Sequence, residues 1–275
     1  MPEPLRAVAT AKLNLALVVG ARRDDGMHDV TTVLQRVDLV DRVTLAPSAR
    51  LHVSGFDGDT LVRAVLGALA DEAGVAPRWR VHLEKRIPVA AGLGGGSSDA
   101  ATALRLANGT LERPLEPSRL HGLAAAIGVD APFFLTEGPQ LAEGAGSELS
   151  ALRLPADYWV VLVLPRGVEK RSTAAVYEAF DARRGQLGAD ERRAKLFDAL
   201  GRVRRARDLA ALPPNDLASS PVAGELRELG AFRADVTGAG PVVYGLFQHR
   251  ADADAARARM RARGRTWLTV PAWYV

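Results

Sequence analysis

The chain has 275 residues, 48% hydrophobic and 25% charged, with a formal net charge of +4; this is an ordinary globular profile, long enough for one large domain or two smaller ones. With no cysteine, a disulfide framework, a thiol nucleophile and a thiolate metal site are excluded. No apolar run approaches the roughly 20 residues of a membrane span, and the first six residues lack the charged start and apolar core of a secretory leader, so a cytoplasmic protein without a membrane partner is expected.

Residues 12–20, rich in Leu and Val, predict a strand. The Asp25-Gly26 pair predicts a turn, and the imperfect alternation over 29–45 predicts one or two further strands. Asp59 is placed to N-cap a helix whose apolar face holds Leu61, Ala64, Val65, Ala68 and Leu69 and which Gly74 ends. Residues 79–83 predict a strand that runs through Glu84, Lys85, Arg86, Ile87 and Pro88 into a glycine-rich loop at 91–96. Ser97-Ser98-Asp99 opens an Ala-rich helix that stops near Asn108-Gly109. Ser118 caps another, which stops at Gly128. In the second half, 158–164 predict a strand, and 172–180 and 190–212 predict helices. Strands follow at 234–236 and 242–247 around Thr237-Gly238-Ala239-Gly240-Pro241, then a helix at 251–263 and a last strand at 267–273. The elements mix without strict strand–helix alternation, which predicts an α+β fold. A boundary near 145–155 divides the chain into domains of residues 1–150 and 151–275.

Lys and Arg total 36, yet only Lys12, Lys85, Lys170 and Lys195 are lysines. Where Arg is the default cation, a Lys hints that a compact ammonium matters. The densest basic runs, 202–207 and 257–265, alternate Arg with small or apolar residues and carry no stacking aromatics; they predict solvated helix faces and no nucleic-acid partner. His28, His52, His82, His121 and His249 form no metal-ligand pair, so no protein metal cage is expected.

The strongest local signal is Pro88-Val89-Ala90-Ala91-Gly92-Leu93-Gly94-Gly95-Gly96-Ser97-Ser98-Asp99. Glycines let several backbone N–H groups converge, and the helix that follows offers free amides and a positive dipole end. Ser97 and Ser98 add hydroxyls. The pattern predicts a phosphate cradle. No Lys follows Gly96, so it is not a P-loop, and the segment 84–88 between strand and loop argues against a dinucleotide fingerprint.

Residues 88–101 resemble the loop of the GHMP kinases, P-x-x-x-G-L-G-[GS]-[GS]-[SA]-[SA]. The triple glycine with Ser97-Ser98-Asp99-Ala100-Ala101 is similar to one branch of that family, whose acceptor is a cytidylated sugar alcohol. Ala11-Lys12-Leu13-Asn14-Leu15, Arg23-Asp24-Asp25-Gly26-Met27-His28, Lys85-Arg86-Ile87-Pro88, Gly128-Val129-Asp130-Ala131-Pro132-Phe133-Phe134 and Thr237-Gly238-Ala239-Gly240 resemble further motifs of that branch, in the same order. Departures are Thr10 for Pro, Met27 for Tyr, Asp59 for Asn and Ala174 for Pro.

The resemblance implies a two-domain GHMP kinase fold: an N-terminal domain like that of a ribosomal S5 protein and a C-terminal ferredoxin-like α/β sandwich. It implies ATP with Mg²⁺ as cosubstrate, small-molecule partners, and a monomer or weak homodimer. It assigns Asp130 as catalytic base, where the sequence alone favours a plain N-cap for the following turn. Lys12 becomes its partner, and Asn14, on the same strand face, a group for the acceptor. Pro88, Val89, Ala90, Ala91, Gly92, Leu93, Gly94, Gly95, Gly96, Ser97 and Ser98 hold ATP. Lys85 meets the adenine end, or is simply a solvated charge. Met27, His28 and Tyr177 receive the cytosine, although helical spacing also allows Tyr177 to sit in the core with Val176 and Phe180. Open alternatives are a GHMP kinase with another acceptor and a non-catalytic nucleotide- or RNA-binding module.

Overall fold

The computed structural model describes residues 3–168 and 172–272. Strand β1 (Leu5–Arg22) and β2 (His28–Pro47) form a long antiparallel hairpin closed by the Asp25-Gly26 turn. The alternation over 29–45 thus belongs to a single strand. β2 pairs with β1 along its length, and on its other edge with β4 (Trp79–Glu84) and β5 (Gln140–Glu143). β3 (His52–Ser54) joins β4 in parallel and β6 (Glu148–Ala151) joins β5, completing six strands. A second, fully antiparallel sheet has the order β10-β7-β9-β8, with β7 at Trp159–Pro165, β8 at Arg233–Val236, β9 at Val243–Phe247 and β10 at Gly264–Thr269. The expected strand end at Trp273 lies outside the described residues. The α+β fold class is confirmed.

Helices α1 (Leu61–Ala73), α2 (Gly95–Asn108) and α3 (Pro117–Ile127) cover one face of the first sheet. Gly74, in the left-handed conformation, ends α1, and Asp59 accepts from the Val62 and Arg63 amides. The buried stripe is Val62, Val65, Leu66, Leu69 and Ala70, so the helix is turned from the expected face and Ala64 is exposed. α3 starts at Pro117, a favoured first position, after an N-cap at Glu116; Ser118 is inside the helix.

Between the sheets lies one apolar cluster. It takes Ala11, Leu13 and Leu15 from β1, Val160 and Leu162 from β7, and Tyr244 and Leu246 from β9. Helix α5 (Ala189–Arg202) packs into it through Leu196 and Ala199. Along β7 the period of two sends Val161 and Val163 the other way, onto α6 (Pro221–Glu228) and α7 (Arg250–Met260). The expected helix at 190–212 breaks at Val203, because the Asp208 carboxylate takes the Arg204 and Arg205 amides and starts a separate 3-10 turn, Ala206–Ala211. Among the described residues no helix is long and apolar enough to cross a membrane.

Candidate active site

The β1–β2 register slips between Thr10 and Ala11 and again between Asn14 and Ala16. Such bulges re-aim side chains, and here they flank Lys12 and Asn14. Ala11, Leu13 and Leu15 enter the core, while Lys12 and Asn14 alternate with them and border a cleft. The Lys12 side chain is only 4% exposed; its Nζ donates to Asn14 Oδ1 at 2.8 Å and lies 3.3 Å from Asp130 Oδ2. Asn14 Nδ2 donates to Thr32 Oγ1 at 2.9 Å. Asn14 is thereby a fixed support for the ammonium, both ends of its amide being used.

Asp130 sits between the end of α3 and a 3-10 turn, Pro132–Leu135. Its carboxylate does not cap that turn: the N-cap is Ala131 and no side-chain capping bond forms. Asp130 instead pairs with Lys12 and stays about one third exposed. The turn is held by Arg36, fully buried on β2, whose Nη2 donates to the Phe133 and Thr136 carbonyls at 2.7 and 2.5 Å. Its guanidinium lies over the Phe133 ring. Burial, helped by the Arg105 charge, lowers the Arg36 pKa to about 10, which still leaves a cation at neutral pH.

The glycine-rich loop lies beside the Lys12–Asp130 pair. Gly92 has φ +83°, and a Cβ there would stand 2.3 Å from the Thr237 carbonyl oxygen. Gly94 has φ +71°, and its Cβ would meet Phe134 Cζ at 2.9 Å and Lys12 Cγ at 3.0 Å. Only glycine satisfies both conformation and space at these positions. The Lys12 amide donates to the Leu93 carbonyl at 2.9 Å, and the Val242 amide to that of Ala91 at 3.2 Å. The late glycine segment docks on the loop: Thr237 Oγ1 donates to the Gly92 carbonyl at 3.3 Å and accepts from the backbone N–H of Asn14 at 3.1 Å. Asn215 Nδ2 donates to the Gly238 carbonyl at 2.7 Å.

Three adjoining cavities make one trough. The first, about 550 Å³, is bordered by residues 88–92 and 94–97 with Lys85 and Asp59. The second, about 380 Å³, holds Lys12, Asn14 and Asp130. The third, about 400 Å³, is bordered by Met27, His28 and Tyr177. Ala90, Gly92 and Gly94 border the first two, Val129 and Tyr177 the last two, and Thr173 all three. The expected site residues therefore come together, with three exceptions. Leu93 and Ser98 turn into the protein, each about 1% exposed. Lys85 borders the first cavity but is no solvated charge: its ammonium is held below the loop by Asp41 and Asp99.

In the third cavity, helix α4 (Thr173–Ala182), N-capped by Ser172, grips one imidazole. His28 stacks on Tyr177 with centroids 4.8 Å apart and meets Phe180 edge-on. His28 Nε2 lies 2.7 Å from Asp181 Oδ1, a partner no local pattern announces. Tyr177 packs at the edge of an apolar cluster with Val176 and Phe180, as helical spacing allows, and also borders the trough. Burial, then the Asp130 charge, push its phenol pKa up to about 12; Tyr177 remains a neutral ring at working pH.

The glycine-walled loop opens onto a helix beside a lysine–aspartate pair, and the chain as a whole matches the small-molecule kinases of the GHMP class. The models of the GHMP kinases N terminal domain and of the GHMP kinases C terminal match residues 60–138 and 217–266. Proteins named 4-diphosphocytidyl-2-C-methyl-D-erythritol kinase are similar along nearly the whole length: 37% identity in Chlorobium luteolum over 96% of both chains, and 38% in Geobacter sulfurreducens over 94% of this chain and 95% of that one. A crystal structure of 4-(cytidine 5'-diphospho)-2C-methyl-D-erythritol kinase matches with a TM-score of 0.79 and 31% identity, covering 98% of this chain and 99% of that one. A homoserine kinase structure from Cytophaga hutchinsonii, at 17% identity and a TM-score of 0.70 over 98% and 96% of the two chains, shares the fold. The chain belongs to the 4-diphosphocytidyl-2-C-methyl-D-erythritol kinase family.

Proposed function

We propose that this protein moves the γ-phosphoryl group of ATP to the 2-hydroxyl of 4-diphosphocytidyl-2-C-methyl-D-erythritol, releasing ADP. The observation that carries this is the place of the Lys12–Asp130 pair, in the middle of a trough with the glycine loop at one end and His28 and Tyr177 at the other. Phosphoryl transfer demands in-line positioning, charge stabilisation and a group to take the hydroxyl proton. The loop amides and the start of α2 receive the phosphates. Asp130, partly exposed, takes the proton from the acceptor hydroxyl. Lys12, fixed by Asn14, offsets the charge spread over the moving group. The cytidine end rests against Tyr177 and Met27, with the ring of His28 at the nucleobase edge. A ring face and a polarisable thioether both suit such contact.

Among the described residues no group of three or more His, Asp or Glu converges to hold a metal. The site fits a Mg²⁺ ion that arrives on the phosphates and keeps most of its waters, with the Ser97 hydroxyl, which borders the first cavity, as a protein oxygen at the cradle. Bound there, the ion would draw charge from the phosphate oxygens. In this proposal the division at residues 150 and 151 gives the loop, Lys12 and Asp130 to the first domain, and Tyr177 and Gly238 to the second.

The test is ADP release with the cytidylated alcohol and with uncytidylated methylerythritol phosphate. Activity confined to the cytidylated compound is expected. Asp130→Asn should keep ATP binding and lower turnover by roughly 10²–10⁴-fold. Equal use of both alcohols would reject the acceptor, and wild-type turnover in the variant would reject Asp130 as base.

A further inference from the structure

The ammonium of Lys85 is held by two carboxyl groups. It is bonded to Asp41 Oδ2 and, at 2.5 Å, to Asp99 Oδ2. Asp41 is completely buried on β2. Its other oxygen, Oδ1, accepts from the Arg86 amide at 2.5 Å and the Ile87 amide at 2.8 Å. One carboxylate thus fixes the chain where it enters the glycine loop. Asp99 stands in the early turns of α2, where the chain leaves the loop, and is 2% exposed. Lys85 Nζ lies 3.5 Å from the place a Cβ on Gly95 would take, directly beneath the first residue of α2. The lysine therefore joins the two ends of the loop to each other, and Asp41 anchors that joint to the sheet.

We propose that Asp41 is a positioning residue for the nucleotide loop: through Lys85 and Asp99 it staples the loop's two ends together, and Lys85 acts as the staple, not as a direct ligand of ATP. The burial of both carboxyl groups, with the ammonium largely shielded between them, supports this. An ammonium bonded to two buried carboxyl groups has its field largely spent on them, and the arrangement is costly to build unless each member is paired. Its return is a fixed loop. Cradle amides act on a phosphate only if they already point at it, and the loop's glycines would otherwise leave them free. The proposal rests on the loop being the nucleotide cradle, but part of its test needs no nucleotide.

The two roles of Lys85 predict opposite signs. If the ammonium bound ATP directly, Asp41→Asn would release it toward the nucleotide and leave affinity unchanged or tighter. If it is a staple, Asp41→Asn weakens binding of a non-hydrolysable ATP analogue by about tenfold or more, the worth of one broken charge-assisted hydrogen bond. Lys85→Met should weaken it similarly, and the double variant no further than the worse single one, since all three break one connection. The KM for the acceptor alcohol should not move. In the second measurement, hydrogen exchange of the nucleotide-free Lys85→Met protein should rise in the peptide covering 88–99 and nowhere else. Unchanged exchange there, additive losses in the double variant, or unweakened analogue binding by a folded Asp41→Asn protein would each overturn the staple. Should Asp41→Asn not fold, the exchange result for Lys85→Met decides alone. If exchange rises as expected but no variant or wild type binds the analogue, the staple stands and the nucleotide assignment falls.

Discussion

Asp99 sits in an environment that its sequence position does not announce. Burial raises its carboxyl pKa to about 7; Lys85 works against the shift and the neighbouring charge of Asp41 adds to it. The folded protein therefore holds this proton more tightly than the unfolded chain, where the group titrates near 3.8. The stability it contributes is complete below that ordinary value and is lost as pH rises through about 7. Asp99→Asn, which cannot ionise, should lack this slope. Thermal melts from pH 4 to 8 should show the variant gaining on wild type as pH rises, and parallel curves would contradict the assignment. Lys12, Asn14 and Asp130 were legible because each lies in a compact motif. Asp41, Arg36 and Asp181 were not. Their meaning comes from partners far along the chain, Asp41 on Lys85 at a separation of 44 positions and Asp181 on His28 at 153. An acid within a strand of Val and Leu was the only signal for Asp41, and it does not name the partner.

At the scale of elements, what the sequence lacked was docking. The glycine loop was readable as a loop, and the segment 237–240 as another, but not that each limits the other. The Gly92 Cβ position, 2.3 Å from the Thr237 oxygen, records that contact. Gly92→Ala should push the two segments apart, cost about 1–3 kcal/mol of stability, and reduce ATP-dependent turnover more than a stability loss alone explains. Gly67 is the control. It lies within α1, and a Cβ there would meet nothing within 4 Å. Gly67→Ala should stabilise by about 0.5–1 kcal/mol through helix propensity and leave turnover unchanged. Urea unfolding and steady-state rates of both variants check the pair; equal effects would mean that the loops do not constrain each other. The element errors have the same origin. Periodicity over 190–212 is continuous, yet Asp208 finds a better use for two amides than a continued helix would give them. β3, β5 and β6, with three to four residues each, are too short for alternation to mark and exist because β4, β2 and β5 offer edges.

For the molecule as a whole, the question is whether the two sheets are independent units. The chain passes from one to the other between β6 and β7, which suits a two-domain description. The packing argues that they are not thermodynamically separate. Leu13 and Leu15 of β1 share one cluster with Leu162 of β7 and Tyr244 of β9, and the Tyr244 hydroxyl donates to the Leu15 carbonyl at 3.2 Å. After β10 the chain returns to the first sheet, where the Asp38 amide donates to the Val270 carbonyl and the Ala272 amide to that of Arg36. Arg193 of α5 pairs with Glu143 of β5 at 2.6 Å. Separating the halves would expose that shared apolar cluster, which is large compared with the few kcal/mol of net stability typical of a protein. Tryptophans report on each sheet: Trp79 on β4 in the first, Trp159 and Trp267 on β7 and β10 in the second. We expect a variant keeping only Trp79 and a variant keeping only Trp159 and Trp267 to unfold in urea at the same midpoint, with Trp273 replaced in both. Midpoints separated by more than about 0.5 M, which at typical slopes of roughly 1–3 kcal/mol/M is a real difference in free energy, would mean that each sheet carries its own stability. The functional consequence follows from the site's construction. Lys12 and Asp130 stand on the first sheet's side and Tyr177 and Gly238 on the other, so with a shared core the trough cannot open by parting the halves without unfolding them. On the proposed site, nucleotide and acceptor then enter along the trough's exposed edge, and loss of activity in urea should follow the same single transition as both sets of tryptophans.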